Sequence, residues 1–163
     1  MTRSGPVIVA FDGSSAAERA IREAAALFAP RRGLVVVVFE AGRAFEAATR
    51  SAKALEPAAM LDVSGGFEAE KAALETAERL AEQGAETARD AGLEAEGLAV
   101  AREVAVADTL VRVAREHDAL VLVLGDHRHP ELRRLTLGST LTGLLRHAPC
   151  PVLVCGTPTD DMG

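Results

Sequence analysis

The chain has no Trp and no Tyr, and only five Phe and two Cys among its 163 residues. It therefore lacks the aromatic platforms on which single-stranded bases stack. Its 18 Lys and Arg are outnumbered by 24 Asp and Glu, giving a net charge of -6, and the one basic concentration is Arg128, Arg133 and Arg134. A polyanion needs a broad basic face to overcome such a background, which argues against nucleic acid as a partner. No apolar run approaches the ~18 residues of a membrane span, and the opening "MTRSGPVIVAFDGSS" has no long apolar stretch of the export type. A cytoplasmic, reducing location with no membrane partner is the expectation. Cys150 and Cys155 fall in one extended segment, about 16 Å apart at ~3.3 Å per residue, too far to bridge. They read as small apolar fillers.

What the chain does have is apolar residues, 48% of the total. A chain of this length buries roughly two-thirds of its unfolded surface in a single core. One domain over residues 1–157, with a flexible polar tail over 158–163, is expected. Four apolar runs read as buried strands of a parallel sheet: "PVIVAF" (6–11), "LVVVVFE" (34–40), "LVLVLG" (120–125) and "PVLVC" (151–155). "AEGLAVA" (95–101) is a weaker fifth.

Helical patterns fill the intervals. The first, about 15–29, opens with Ser15 three residues before Glu18, the spacing of a capping box, and aligns Ala17, Ala20, Ile21, Ala24 and Phe28 on one face. The second, about 67–91, turns Leu74, Ala77, Leu80, Ala81, Ala85 and Ala88 inward, and so many alanines imply close approach to the sheet. The third and fourth, about 105–117 and 139–148, are shorter. Segment 41–66 reads as a long connection with a short helix near 43–55, placed over one rim of the sheet. Strands alternating with helices, too few for a barrel, predict an α/β fold: a three-layer, doubly wound, five-stranded parallel sheet of Rossmann-like type.

In such sheets ligands bind beyond the carboxyl ends of the strands. Asp12, in "AFDGSS", and Gly125 both fall there. Gly138 and Ser139 then open the fourth helix, whose first N–H groups lack intrahelical partners and whose dipole favours an anion. A phosphate group is the natural guest.

"VIVAFDGSSAAERAI", the strand–loop–"LGST" unit and "LLRHAPCPVLV" resemble the universal stress protein family over nearly the whole chain. The resemblance implies an adenine-nucleotide α-hydrolase-like fold, a homodimer, and in one branch ATP binding through Gly, two residues, Gly, nine residues, Gly, then Ser or Thr. Gly125 matches the first glycine, Gly138 the third and Ser139 the hydroxyl, while Arg128 replaces the second glycine. Further positions implied by resemblance are Ala10 and Asp12 near adenine and ribose, Phe39 against the base, and Thr140 in the phosphate-side helix. Mg would accompany bound ATP. The implied dimer joins through the last strand, at Val152, Leu153 and Val154, if that strand lies at a sheet edge with unpaired backbone groups.

Arg128 leaves two readings open. Its Cβ and bulk oppose the close backbone approach a glycine allows, so the chain could be an interaction protein of this fold with a blocked cleft. Its guanidinium could equally replace backbone donors to phosphate.

Other features carry blander alternatives. Asp126, His127 and His129 could ligate zinc, or form a solvated loop. "VSGGFE" (63–68) resembles the pyrophosphate loop of ATP pyrophosphatases, but arrives mid-chain and reads as a flexible loop before the second helix. Asp12 could merely satisfy loop N–H groups, and Ser139 could be an N-cap. His147 suits a helix C-terminus. No nucleophile, base and orienting group assemble from the sequence, so the chain is read as not primarily an enzyme. A nucleotide hydrolase using Asp12 and a metal ion is the distant alternative.

Overall fold

The computed structural model describes residues 4–42, 63–127 and 138–156. Among them, strands and helices alternate: β1 (Val7–Ala10), α1 (Ser15–Phe28), β2 (Arg32–Phe39), α2 (Val63–Asp90), β3 (Glu94–Ala101), α3 (Val106–Glu116), β4 (Val121–Gly125), α4 (Ser139–His147) and β5 (Val152–Cys155). The five strands form one all-parallel sheet in the order β3-β2-β1-β4-β5. The weakest of the expected strands, β3, pairs with β2 over its full length, from Arg32↔Glu94 to Phe39↔Ala101. β5 lies at an edge, as the sequence reading required for strand-to-strand pairing between copies.

Period-two alternation divides the strand side chains between two cores. Val7, Val9, Val35, Val37, Val121 and Val123 face a layer made by α1 and α2. Ile8, Leu34, Val36 and Leu122 face a layer made by α3 and α4. The alanine stripe of α2 does bring it close: Ala77, Ala81, Ala85 and Ala88 are buried, and a Cβ on Gly97 of β3 would stand 2.6 Å from the backbone carbon of Ala81. Only glycine permits that separation. Fully buried aliphatics such as Ile8, Ile21, Leu110 and Leu144 each contribute about 1.5–3 kcal/mol by leaving water.

Three expectations change. α1 is capped by Ser14, whose Oγ accepts from the Ala17 N–H at 3.1 Å; Ser15 is its first helical residue, so Ser15 and Glu18 make no capping box. The cap falls one residue early because Asp12 Oδ1 accepts from the Ser14 N–H at 3.0 Å, and Gly13, at φ +80°, turns the chain there. α2 begins at Val63, so the backbone of "VSGG" is helical and forms no phosphate loop. The buried stripe reaches back to Gly66, which explains a start ahead of residue 67. Leu74, expected inward, is exposed, because it sits beside that stripe, three residues ahead of Ala77. The helix expected at 43–55, Arg128, His129 and the tail at 158–163 lie outside the described residues.

Candidate functional site

The chain order reverses between β1 and β4: β2 and β3 are laid down on one side of β1, then β4 and β5 on the other. The helices that follow these two strands, α1 and α4, lie on opposite faces of the sheet, which leaves a crevice at the strands' carboxyl ends. A cavity of about 400 Å³ lies there. Ala10, Phe11 and Asp12 supply one side, and Leu124, Gly125, Asp126 and His127 the other. Val36 and Val38 of β2, Val106 and Leu110 of α3, and Val154 of β5 give it apolar walls. Gly138, Ser139, Thr140 and Leu141, at the start of α4, close the far end.

Of the residues singled out in the sequence, the cavity gathers Ala10, Asp12, Gly125, Gly138, Ser139 and Thr140. It does not gather Phe39. Two residues along β2 from Val37, the Phe39 ring packs against the α1–α2 core on the opposite face of the sheet, and Val38 is the neighbour that reaches the cavity. Alternation within "LVVVVFE" carried this signal, since Val36 and Val38 must share one face and Phe39 the other.

The two described motif glycines differ in kind. At Gly125, an added Cβ would collide with the carbonyl of Ala16 in the first turn of α1, so this glycine lets β4 and α1 come together. Among the described residues no atom lies within 4 Å of a Cβ added at Gly138, and its φ of -60° suits any residue. Packing among the described residues does not call for glycine at 138. Open space beside a helix start is what a phosphate group uses.

Gly138 is also the N-cap of α4, with no side-chain cap bond, which corrects the reading of Ser139 as a cap. The first helical bond there runs from the Thr142 N–H to the Gly138 carbonyl. The N–H groups of Ser139, Thr140 and Leu141 precede it and have no carbonyl within the helix to accept them. Donors and the positive end of the helix dipole thus meet at one end of the cavity.

At the other end stand carboxylates. Asp12 is held on both oxygens: Oδ1 accepts from the Ser14 N–H, and Oδ2 lies 3.2 Å from His127 Nε2. The loop-satisfying role of Asp12 and its place in the cavity wall are therefore simultaneous. Asp126 adds a second carboxylate to the lining. Among the described residues no cluster of three His, Cys, Asp or Glu is suited to a metal ion. At the end of β5, Cys155 is buried, as is Cys150, and neither forms a disulfide. Burial pushes the Cys155 thiol up, Glu23 adds to the rise and Arg19 opposes it.

The apolar walls went unnamed in the sequence reading. Val106, Leu110, Leu141 and Val154 come from three different elements, and only their assembly makes a pocket. Asp126 and His127 were weighed as metal ligands and stand instead in this lining.

The model of the universal stress protein family matches residues 4–156. No curated protein sequence is a significant match. Among solved structures, a universal stress protein in complex with cAMP is 23% identical, with a TM-score of 0.63, over 96% of this chain and 99% of that one. The universal stress protein from Archaeoglobus fulgidus in complex with dAMP is 24% identical, with a TM-score of 0.59, over 93% of this chain and 98% of that one. A family member from Arabidopsis thaliana with AMP bound is 14% identical, with a TM-score of 0.56, over 98% and 96%. At these identities the likeness shows a common fold.

Proposed function

The chain belongs to the universal stress protein family, and on that premise we propose that its crevice binds an adenine nucleotide. The observation that carries this reading is the polarity of the cavity. About 400 Å³ of space has apolar walls from β2 and α3, carboxylates at one end, and an uncapped helix start at the other. An adenosine has a flat apolar base and hydrogen-bond donors on base and sugar, and its phosphates need N–H groups. Asp12 suits the adenosine end and Ser139, Thr140 and the Gly138 backbone the phosphate end, with Ala10 and Gly125 between them. The relatives of known structure that hold cAMP, dAMP or AMP support the ligand class.

The proposal extends to ATP, with Mg brought on its phosphates. The Arg128 guanidinium then takes the part of the missing glycine's backbone donors. We read the protein as a regulatory or protective module in the response to stress, not primarily an enzyme. It works in the cytoplasm as a homodimer whose β5 edges meet through Val152, Leu153 and Val154. Cysteines outside any disulfide fit a reducing compartment.

Purified protein, denatured and analysed by absorbance at 260 nm and mass spectrometry, should release an adenine nucleotide. With no Trp or Tyr, the polypeptide contributes little at that wavelength. Millimolar AMP, cAMP or Mg-ATP should raise the melting temperature, by about 2.7 kcal/mol of stability at a hundredfold excess over Kd. Protein that carries no nucleotide and is stabilised by none of the three would sink this reading in favour of an interaction module of the same fold. Gly138→Ser sharpens the test. Serine is a slightly better N-cap, gaining a few tenths of a kcal/mol, yet its side chain enters the open space and should abolish the nucleotide-dependent rise.

A further inference from the structure

We propose that His127 competes with the nucleotide for Asp12, so that acid conditions weaken the adenosine end of the site while leaving its phosphate end intact. The inference rests on the nucleotide reading above and assigns that site a regulator.

Asp12 has two carboxylate oxygens. Oδ1 is committed to the Ser14 N–H at 3.0 Å, which orients the group at the head of α1. Oδ2 is the oxygen left for a ribose hydroxyl or an adenine amino group, and His127 Nε2 stands 3.2 Å from it. An adenosine donor must therefore displace or share with the imidazole. A neutral imidazole already offers the carboxylate a charge-assisted hydrogen bond; an imidazolium adds a full positive charge opposite it, which strengthens the pair further. The adenosine donor is neutral at every relevant pH, so protonation strengthens the incumbent alone. Histidine is the side chain that changes charge between about pH 5 and 8, which fixes the window.

The same proton acts oppositely on a phosphate, which a cationic ring attracts. Adenosine and cAMP, whose phosphodiester keeps one negative charge throughout, should therefore diverge: acid weakens the first and largely spares the second. The other charged groups nearby do not reproduce this pattern. Asp126, next to His127 just past the end of β4, adds a carboxylate to the same lining. The cavity walls given by β2, β5, α3 and α4 are apolar or hydroxylic among the described residues. Glu18 of α1 is engaged with Arg22 at 4.0 Å. Asp108, in the first turn of α3, is exposed and outside the lining.

Magnitude follows from exposure. The His127 and Asp12 side chains are 50% and 59% exposed, and exposed pairs of this kind change affinities about two- to fivefold.

The test is calorimetric titration of adenosine and of cAMP from pH 5.5 to 8.5, on the intact chain and on His127→Gln, whose amide donates but never carries charge. In the intact chain, adenosine should bind about two- to fivefold more weakly at pH 5.5 than at pH 8.5, with a smaller change for cAMP. His127→Gln should bind adenosine equally at both. A flat adenosine profile in the intact chain, or an unchanged slope in His127→Gln, overturns the competition while cAMP binding still upholds the nucleotide site. Failure of both proteins to bind either ligand at any pH overturns the nucleotide reading and this inference with it. A thermal melt of His127→Gln matching the intact chain excludes misfolding as the cause.

Discussion

The two layers over the sheet are built from the same strands but filled to different heights. Over one face, α1 and α2 lie close on alanine, and Phe11, Phe28 and Phe39 pack into the α1–α2 core, with Phe11 and Phe39 at the carboxyl ends of β1 and β2. Over the other, α3 and α4 are short, and α4 buries only Leu141 and Leu144. Above Val36 and Leu110 the described residues leave the second layer unfilled, and the cavity occupies what is left. The proposed binding site is thus a part of that layer which the described helices do not reach. Substitutions on the closed face should register in stability, and substitutions at the open end should register in ligand binding.

The largest effect expected is on the closed face. Ile21→Ala deletes a side chain with no exposed surface, and should cost about 2–5 kcal/mol in urea denaturation without altering nucleotide affinity in the variant that remains folded. Gly125→Ala tests the boundary between the layers, since the new methyl would collide with the Ala16 carbonyl. It should cost about 1–3 kcal/mol and, by pushing β4 from α1, weaken the ligand as well. Val38→Phe belongs to the open end. The ring enters the cavity instead of the core, so stability should stay within about 1 kcal/mol, while the thermal response to nucleotide disappears. An equal response in Val38→Phe and the parent would break the contrast between the two faces.

The smallest effect concerns alkaline pH. The folded chain holds the Cys155 proton more tightly than the unfolded chain does, because burial disfavours the thiolate. The contribution is complete below about pH 8.5, where unfolded cysteine ionises, and is lost as pH rises further through the folded value. Denaturation curves at pH 8 and pH 10 should therefore differ less for Cys155→Ala than for the parent.

Much of the closed face was legible in the sequence. β-branched runs announced the strands, and the alanine stripe of the second helix announced its proximity to them. Asp12 and Ser139 were legible as residues at strand ends and helix starts. Phe39 lies on the face opposite the one that family likeness implies, because the alternation of its own strand groups it with Val35 and Val37. The spacing of Ser15 and Glu18 does not reveal the cap at Ser14, because the Asx turn made by Asp12 is a matter of where a carboxylate points, and a spacing rule has no access to that. Two adjacent glycines read as a loop, although the buried face of α2 reaches Gly66.

By itself the sequence determined the alternation of strands and helices, and with it a parallel sheet with Asp12, Gly125 and Gly138 at the carboxyl edge of its strands. These follow from local periodicity and from the handedness of crossovers, which need no knowledge of distance. Only the tertiary structure decided that the described helices of the second layer stop short of the rim, that among the described residues Gly138 is uncrowded while Gly125 is pressed against α1, and that His127 meets Asp12. Those facts depend on how far helices from separate parts of the chain extend above one sheet, and on the gap between side chains more than a hundred residues apart.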